Sequence, residues 1–237
     1  MNNMVYIIAE AGIDHEGSTS RLTELFDAAV KAKVDAFKIQ YYAEGFKGAH
    51  RTLPWLDPSY ILALKEDCHN YDMEFIITPH DKWAVDLILN TECVDKVKIG
   101  SGDWALLQYF APEAELIISC GKMDRRRVIH EMVDRFNAHF LYCVSEYPAP
   151  VGHIDLREIH NMYVSMSPWG SGLIGYSDHS IGQHVCIAAV AKGASIIEKH
   201  MTLERNVEGR NDTFGSLLPD EWPGFVETLR ETEICCA

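Results

Sequence analysis

The 237 residues include 47% hydrophobic and 24% charged side chains, ordinary globular proportions that exclude a mainly disordered, collagen-like or coiled-coil chain. With 21 Lys and Arg against 35 Asp and Glu the formal charge is −14, so no nucleic-acid partner is expected, because polyanion affinity rests on neutralising phosphates with Lys and Arg. No apolar run approaches the ~20 residues that span a bilayer, and Met1-Asn2-Asn3-Met4 lacks the basic segment and apolar run of a secretory leader, so a cytoplasmic protein with no membrane partner is expected.

In chain order, short apolar, β-branched runs occupy residues 5–9, 36–40, 74–78, 96–99, 116–119, 140–144, 173–177 and 196–200. Runs this short and this apolar suit strands buried on both faces. Between them, residues 22–30, 61–65, 85–89, 128–133, 156–162, 185–191 and 225–229 carry apolar side chains spaced for one helix face. The segment after the fourth run has the poorest helical pattern, with only Leu106, Leu107, Tyr109 and Phe110. Eight strands alternating with helices predict parallel βαβ units, and a closed (β/α)8 TIM barrel takes about 250 residues. The rival, an open doubly wound sheet, would usually carry a Gly-rich phosphate loop after its first strand. Here Gly12 and Gly17 flank Ile13-Asp14-His15-Glu16 with no G-x-G-x-x-G. The expectation is one (β/α)8 barrel domain over residues 1–237.

Active sites of such barrels lie at the C-terminal ends of the strands. The polar residues there are Glu10 and Asp14-His15-Glu16, then Lys38 and Gln40, Thr78-Pro79-His80-Asp81, and Lys98 with Ser101-Gly102-Asp103. Ser119-Cys120-Gly121-Lys122, Ser145-Glu146-Tyr147, Ser177-Asp178-His179 and Glu198-Lys199-His200 follow. Side chains alternate along a strand, so Lys38 and Gln40 point the same way, as do Glu198 and His200. Lysines embedded in apolar strands are costly unless paired with anions. Lys38 and Lys98 therefore make either an anion pocket or ion pairs with Glu10 or Glu198. His179 and His200 end neighbouring strands, and are either a two-imidazole metal site or a hydrogen-bonded pair. Seven Cys without a C-x-x-C pair fit reduced thiols, and Cys120, with no base on its segment, reads as a packed thiol rather than a nucleophile.

Six blocks together resemble the N-acetylneuraminate (sialic acid) synthase family, which includes legionaminic and pseudaminic acid synthases. They are Ile8-Ala9-Glu10-Ala11-Gly12-Ile13-Asp14-His15-Glu16-Gly17, Phe37-Lys38-Ile39-Gln40 and Lys98-Ile99-Gly100-Ser101-Gly102-Asp103. The later three are Ser145-Glu146-Tyr147-Pro148-Ala149-Pro150, Gly175-Tyr176-Ser177-Asp178-His179-Ser180 and Ile197-Glu198-Lys199-His200-Met201-Thr202-Leu203. The resemblance implies a barrel that condenses phosphoenolpyruvate with an open-chain aldose, usually N-acetylmannosamine, releasing phosphate by C–O cleavage. It implies a divalent metal on His179 and His200, Mn²⁺ first, with Co²⁺ or Mg²⁺ as alternatives. It implies Glu16 as the acid/base carboxylate, and Lys38, Thr78, Lys98, Ser101, Ser119, Ser145 and Ser177 around phosphoenolpyruvate, Ser145 standing where many members have Asn. Gln40, Asp103, Tyr147 and Asn211 correspond to contacts with the sugar acceptor.

Two of these depart from the pattern: Asp103 stands for a frequent Glu, and around Gly209-Arg210-Asn211 an amide stands where the family has a carboxylate. The acceptor end is therefore expected to be altered and the donor end kept. Typical members form homodimers and continue into an antifreeze-like domain that brings an Arg to the partner's active site. This sequence ends at Ala237, so a homodimer, a separate antifreeze-like cap protein, and Arg205 or Arg210 as substitutes are expectations of the resemblance. The alternatives are a non-catalytic sugar- or phosphate-binding barrel, or a subunit needing that cap, or a barrel aldolase with Lys38 or Lys98 as a Schiff base.

Overall fold

The computed structural model describes residues 4–46, 54–122, 125–133, 135–166 and 172–236. Residues 1–3, part of the N-terminal segment read as lacking a secretory leader, lie outside them, as does the Val128 side chain of the fourth helix. Eight parallel strands close into a barrel in sequence order, β1 (Tyr6–Gly12), β2 (Ala36–Tyr41), β3 (Glu74–Pro79), β4 (Lys96–Ile99), β5 (Glu115–Ser119), β6 (Asn137–Cys143), β7 (Ile174–Asp178) and β8 (Ile196–His200), with β8 pairing back onto β1. Each is within three residues of its predicted position at either end. No helix among the described residues is long and apolar enough to cross a membrane.

The helices are α1 (Thr19–Ala32), α2 (Pro58–His69), α3 (Lys82–Thr91), α4 (Arg125–Met132), α5 (Arg157–Met166), α6 (His184–Ala191) and α7 (Trp222–Cys236). Local chemistry starts them. Ser18 accepts the Arg21 amide at α1, Asp57 accepts the Ser59 amide ahead of Pro58 at α2, and Asp81 accepts the Ala84 amide at α3. After β4 there is no α-helix but a 3₁₀ segment, Trp104–Tyr109. Its apolar residues explain it: Trp104, Leu107 and Phe110 recur every third position, the spacing that a 3₁₀ turn brings onto one side.

Two cores result. One, between barrel and helices, holds the outward strand residues such as Ile7, Phe37, Phe75 and Ile197 with helix residues such as Leu22, Leu25 and Ile61. The other is a small plug inside the barrel, made of Ile8, Ala36, Ile76, Ile117, Leu141 and Ile196. Two residues further along the same strands stand Glu10, Lys38, Thr78, Ser119, Cys143 and Glu198. The period-two alternation of a strand therefore lays a polar layer directly on the apolar plug.

Candidate active site

Above that layer, at the C-terminal end of the barrel, opens a cavity of about 280 Å³, just under the ~300 Å³ lower bound for small-molecule sites. Every predicted site residue except Glu16 and Asn211 lines it: Lys38, Gln40, Thr78, Lys98, Ser101, Asp103, Ser119, Ser145, Tyr147, Ser177, His179 and His200. His80, Lys122, Cys143 and Glu198 complete the side-chain wall.

Its floor is an ionic lattice. Lys38 contacts Glu10, lies 3.6 Å from Glu198 and donates to Thr78 Oγ1 at 2.9 Å. Lys98 lies 3.5 Å from Glu198 and donates to Ser119 Oγ at 2.8 Å, while Ser177 donates to Glu198 Oε1 at 2.8 Å. The lysines are paired with Glu10 and Glu198, the second of the two readings, and they also line the cavity. Burial raises both carboxyls, but the outcome differs. At Glu198 the two lysines outweigh burial and hold it below the usual range, whereas at Glu10 burial, reinforced by the Glu198 charge, prevails over Lys38 and the carboxyl is raised. Burial alone would depress Lys38, but Glu10 and Glu198 keep its ammonium above its ordinary value. Two cations thus face one firmly ionised carboxylate and one that binds a proton more readily.

His179 and His200 end β7 and β8 with ring centroids 5.8 Å apart. His179 Nδ1 donates to the Val144 carbonyl at 2.7 Å, which fixes the tautomer and leaves the Nε2 lone pair; the Tyr147 hydroxyl donates to that nitrogen at 3.0 Å. Burial holds His179 at about 4, and burial with His179 and Lys38 alongside holds His200 well below its usual value, so both rings are neutral at pH 7. Neutral imidazoles, one set by a backbone carbonyl, are the donors that a borderline divalent metal takes. No group of three or more His, Cys, Asp or Glu placed to hold a metal occurs among the described residues.

Glu16 sits outside the cavity wall. It adopts left-handed backbone, φ 52°, in the turn before Gly17, is exposed, and lies 3.5 Å from Arg210 Nη1. Arg210 is buried and bonds Asp14 Oδ1 at 2.9 Å, whereas Arg205 donates to the Ser216 carbonyl and pairs with Glu221. Of these two arginines only Arg210 stands near the site. Asn211 is exposed at the start of a 3₁₀ segment, Asn211–Phe214. The carboxylate of this loop is the next residue, Asp212, which with His200 lines a small side cavity. Burial and then the Asp212 charge push the Tyr42 and Tyr147 hydroxyls above their ordinary range. A carboxylate thus stands in this loop one residue after the amide of Asn211.

Asp103 lines the cavity, but its Oδ2 lies 3.0 Å from His80 Nδ1. The Tyr42 ring stacks on His80, centroids 4.6 Å apart and planes 8° from parallel, and the Tyr42 hydroxyl donates to Gln40 Oε1 at 3.1 Å. His80 Nε2 is buried with no hydrogen-bond partner. Tyr42 and Cys143 were missed by the sequence reading, although both keep the two-residue phase of known cavity residues, Gln40 and Ser145. Cys120 is fully buried, as a packed thiol should be.

The NeuB family model matches residues 49–236. The spore coat polysaccharide biosynthesis protein SpsE of Bacillus subtilis is 32% identical, the alignment covering 97% of this chain and 68% of that protein. The N,N'-diacetyllegionaminic acid synthase of Legionella pneumophila is 28% identical, over 96% of this chain and 72% of its own length. Among solved structures, the N-acetylneuraminic acid (sialic acid) synthetase of Leptospira borgpetersenii, determined in complex with citrate, aligns with a TM-score of 0.85 at 29% identity, covering 99% of this chain and 85% of that one. With a closed eight-stranded barrel, a polar layer at its C-terminal end and a family match across most of its length, the chain belongs to the NeuB family.

Proposed function

We propose that this protein is a synthase that joins phosphoenolpyruvate to an open-chain aldose, N-acetylmannosamine or a related amino sugar. The product is a nonulosonic (sialic) acid or related 2-keto-3-deoxy sugar acid, with inorganic phosphate released. The observation that carries this reading is the charge layout of the cavity: two buried lysines flanked by hydroxyls on its floor and two neutral imidazoles beside them.

Lys38 and Lys98, with Thr78, Ser119 and Ser177, meet the anionic groups of the donor, and Glu198 between the two lysines fixes their heads. Carbon three of the enol attacks the aldehyde carbon, water adds at carbon two, and the tetrahedral centre expels phosphate with its C–O bond. The aldehyde oxygen gains one proton and the attacking water gives one up, the exchange assigned to Glu16, and the water's second proton leaves with the phosphate as carbon two becomes the ketone. His179 and His200 fit a divalent metal, Mn²⁺ first and Co²⁺ or Mg²⁺ as alternatives, which when bound supplies Lewis-acid polarisation of a carbonyl oxygen. Gln40 and Tyr147 face the acceptor.

The test is phosphate release from phosphoenolpyruvate across a panel of aldoses including N-acetylmannosamine, with Mn²⁺ and with chelator. Aldose-dependent release that stops in chelator, and in the His179→Ala, His200→Ala double variant, is expected. Glu16→Gln should lower the rate by roughly 10²–10⁴ while phosphoenolpyruvate binding survives; a loss under threefold would move the proton transfer to another residue. Binding of phosphoenolpyruvate without release by any aldose would favour a ligand-binding barrel instead.

A further inference from the structure

We propose that Lys122 binds the phosphoryl group of the donor, as a third cation acting with the Ser101 and Ser145 hydroxyls. The inference rests on the phosphoenolpyruvate reading above and assigns the residue that receives one end of that substrate.

The charge balance of the cavity motivates it. A phosphate monoester carries about −1.5 to −2 at neutral pH, and the donor's carboxylate adds one more negative charge. Lys38 and Lys98 are already paired with Glu10 and Glu198, so the floor alone offers little net positive charge. The other acidic side chain of the wall, Asp103, is taken by His80. Lys122 is the remaining lysine of the wall. The wall's carboxylates thus have partners other than Lys122, Glu198 the two floor lysines and Asp103 the His80 ring, and the Lys122 ammonium is available to a ligand.

Geometry places that ammonium against Gly102, in the turn that also carries Ser101. Its Nζ lies 3.6 Å from where a Cβ on Gly102 would stand, next to Ser101 in sequence. Ser101 Oγ and Ser145 Oγ are 2.9 Å apart. A Cβ on Gly121, the residue before Lys122, would sit 2.3 Å from Ser145 Oγ and 3.2 Å from Ser101 Oγ. The bare backbone at Gly121 therefore lets the serine pair close onto the base of the Lys122 side chain. The flexible Lys122 side chain can bring its ammonium to these two adjacent hydroxyls, and together they match the three terminal oxygens of a phosphate monoester. Lys38 and Lys98 are left for the carboxylate and the enol oxygen.

Lys122 is exposed, so its replacement should leave the fold intact. The experiment is calorimetric titration of phosphoenolpyruvate, inorganic phosphate and pyruvate into wild type, Lys122→Met and Lys122→Arg, with Mn²⁺ present and melting temperature as the folding control. Lys122→Met should weaken phosphoenolpyruvate and inorganic phosphate by about 10- to 100-fold and pyruvate by less than twofold, and Lys122→Arg should recover most of the loss. Unchanged phosphoenolpyruvate binding in Lys122→Met overturns the proposal and leaves the donor reading intact. An equal loss for pyruvate assigns Lys122 to the carboxylate and also overturns it. A parallel condensation arm compares an aldose with its 6-phosphate: a defect confined to the phosphorylated aldose places Lys122 on the acceptor and overturns the proposal. Wild type that binds neither phosphoenolpyruvate nor inorganic phosphate removes both readings.

Discussion

Lys199 lies between two cavity residues of β8, Glu198 and His200, yet faces the other way. It is enclosed between barrel and helices, 2.5 Å from Asp178 Oδ2 and 2.6 Å from the Ser180 carbonyl. Asp178 is completed by the Tyr176 hydroxyl and the Ser180 amide, each at 3.0 Å. Burial would raise the Asp178 carboxyl, but Lys199 and then the Ser180 donors hold it below its ordinary value. Lys199→Met leaves that carboxylate buried and uncompensated, and should cost about 3–5 kcal/mol in a urea melt. His15 offers a pH test in the opposite chemistry. It is fully enclosed, its Nδ1 accepts the Gly17 amide, and burial holds it at about 4. The unfolded ring takes a proton near pH 6.5 and the folded ring only near 4, so the native state loses stability as pH falls between them, by roughly 3 kcal/mol at pH 4. Urea midpoints at pH 7, 5.5 and 4.5 check this; in His15→Gln the slope should fall by about one proton, and an unchanged slope would clear His15 of the effect.

The strands and helices were legible because a parallel barrel leaves short apolar runs between amphipathic stretches, and alternation then assigns cavity residues such as Lys38, Gln40, Glu198 and His200. Loops carry no such period. The exposed Asn211 and the inward Asp212 differ by one step along a 3₁₀ turn, which residue types do not reveal. Pairing across loops was equally hidden: nothing in Thr78-Pro79-His80 announces that Asp103, beyond β4, takes the imidazole. On the proposed synthase reading, that pairing shapes the acceptor side. With Nδ1 committed to Asp103 and the ring stacked on Tyr42, His80 offers Nε2 beside Gln40. Asp103→Asn should raise the KM for N-acetylmannosamine about tenfold, the value of a charge-assisted hydrogen bond, with the KM for phosphoenolpyruvate within twofold. Steady-state kinetics with each substrate varied in turn decide it; equal rises in both KM values would mean a general distortion of the wall.

Closure of the barrel depends on contacts between residues far apart in the chain. Asp14 gathers Arg21, Thr202, the Leu203 amide and Arg210, tying the loop after β1 to the loop after β8. On the opposite end, Arg230 of α7 forks onto Asp35 at 2.8 and 2.6 Å and contacts the Val5 carbonyl. Arg230→Met should lower the unfolding free energy by about 2–4 kcal/mol, read as a lower urea midpoint, and hydrogen exchange should then show β1 and β8 losing protection together. The same seam sets a timetable for synthesis. β1 ends at Gly12 and the partner for its second edge begins at Ile196. At 5–20 residues per second, a ribosome takes roughly 10–40 s to make the intervening chain. Through that interval the first strand keeps one row of amides and carbonyls unpaired and its outward apolar residues uncovered by α7. The nascent protein is therefore most exposed to mispairing at its beginning, and translation pauses ahead of β8 should lower its soluble yield more than pauses after it.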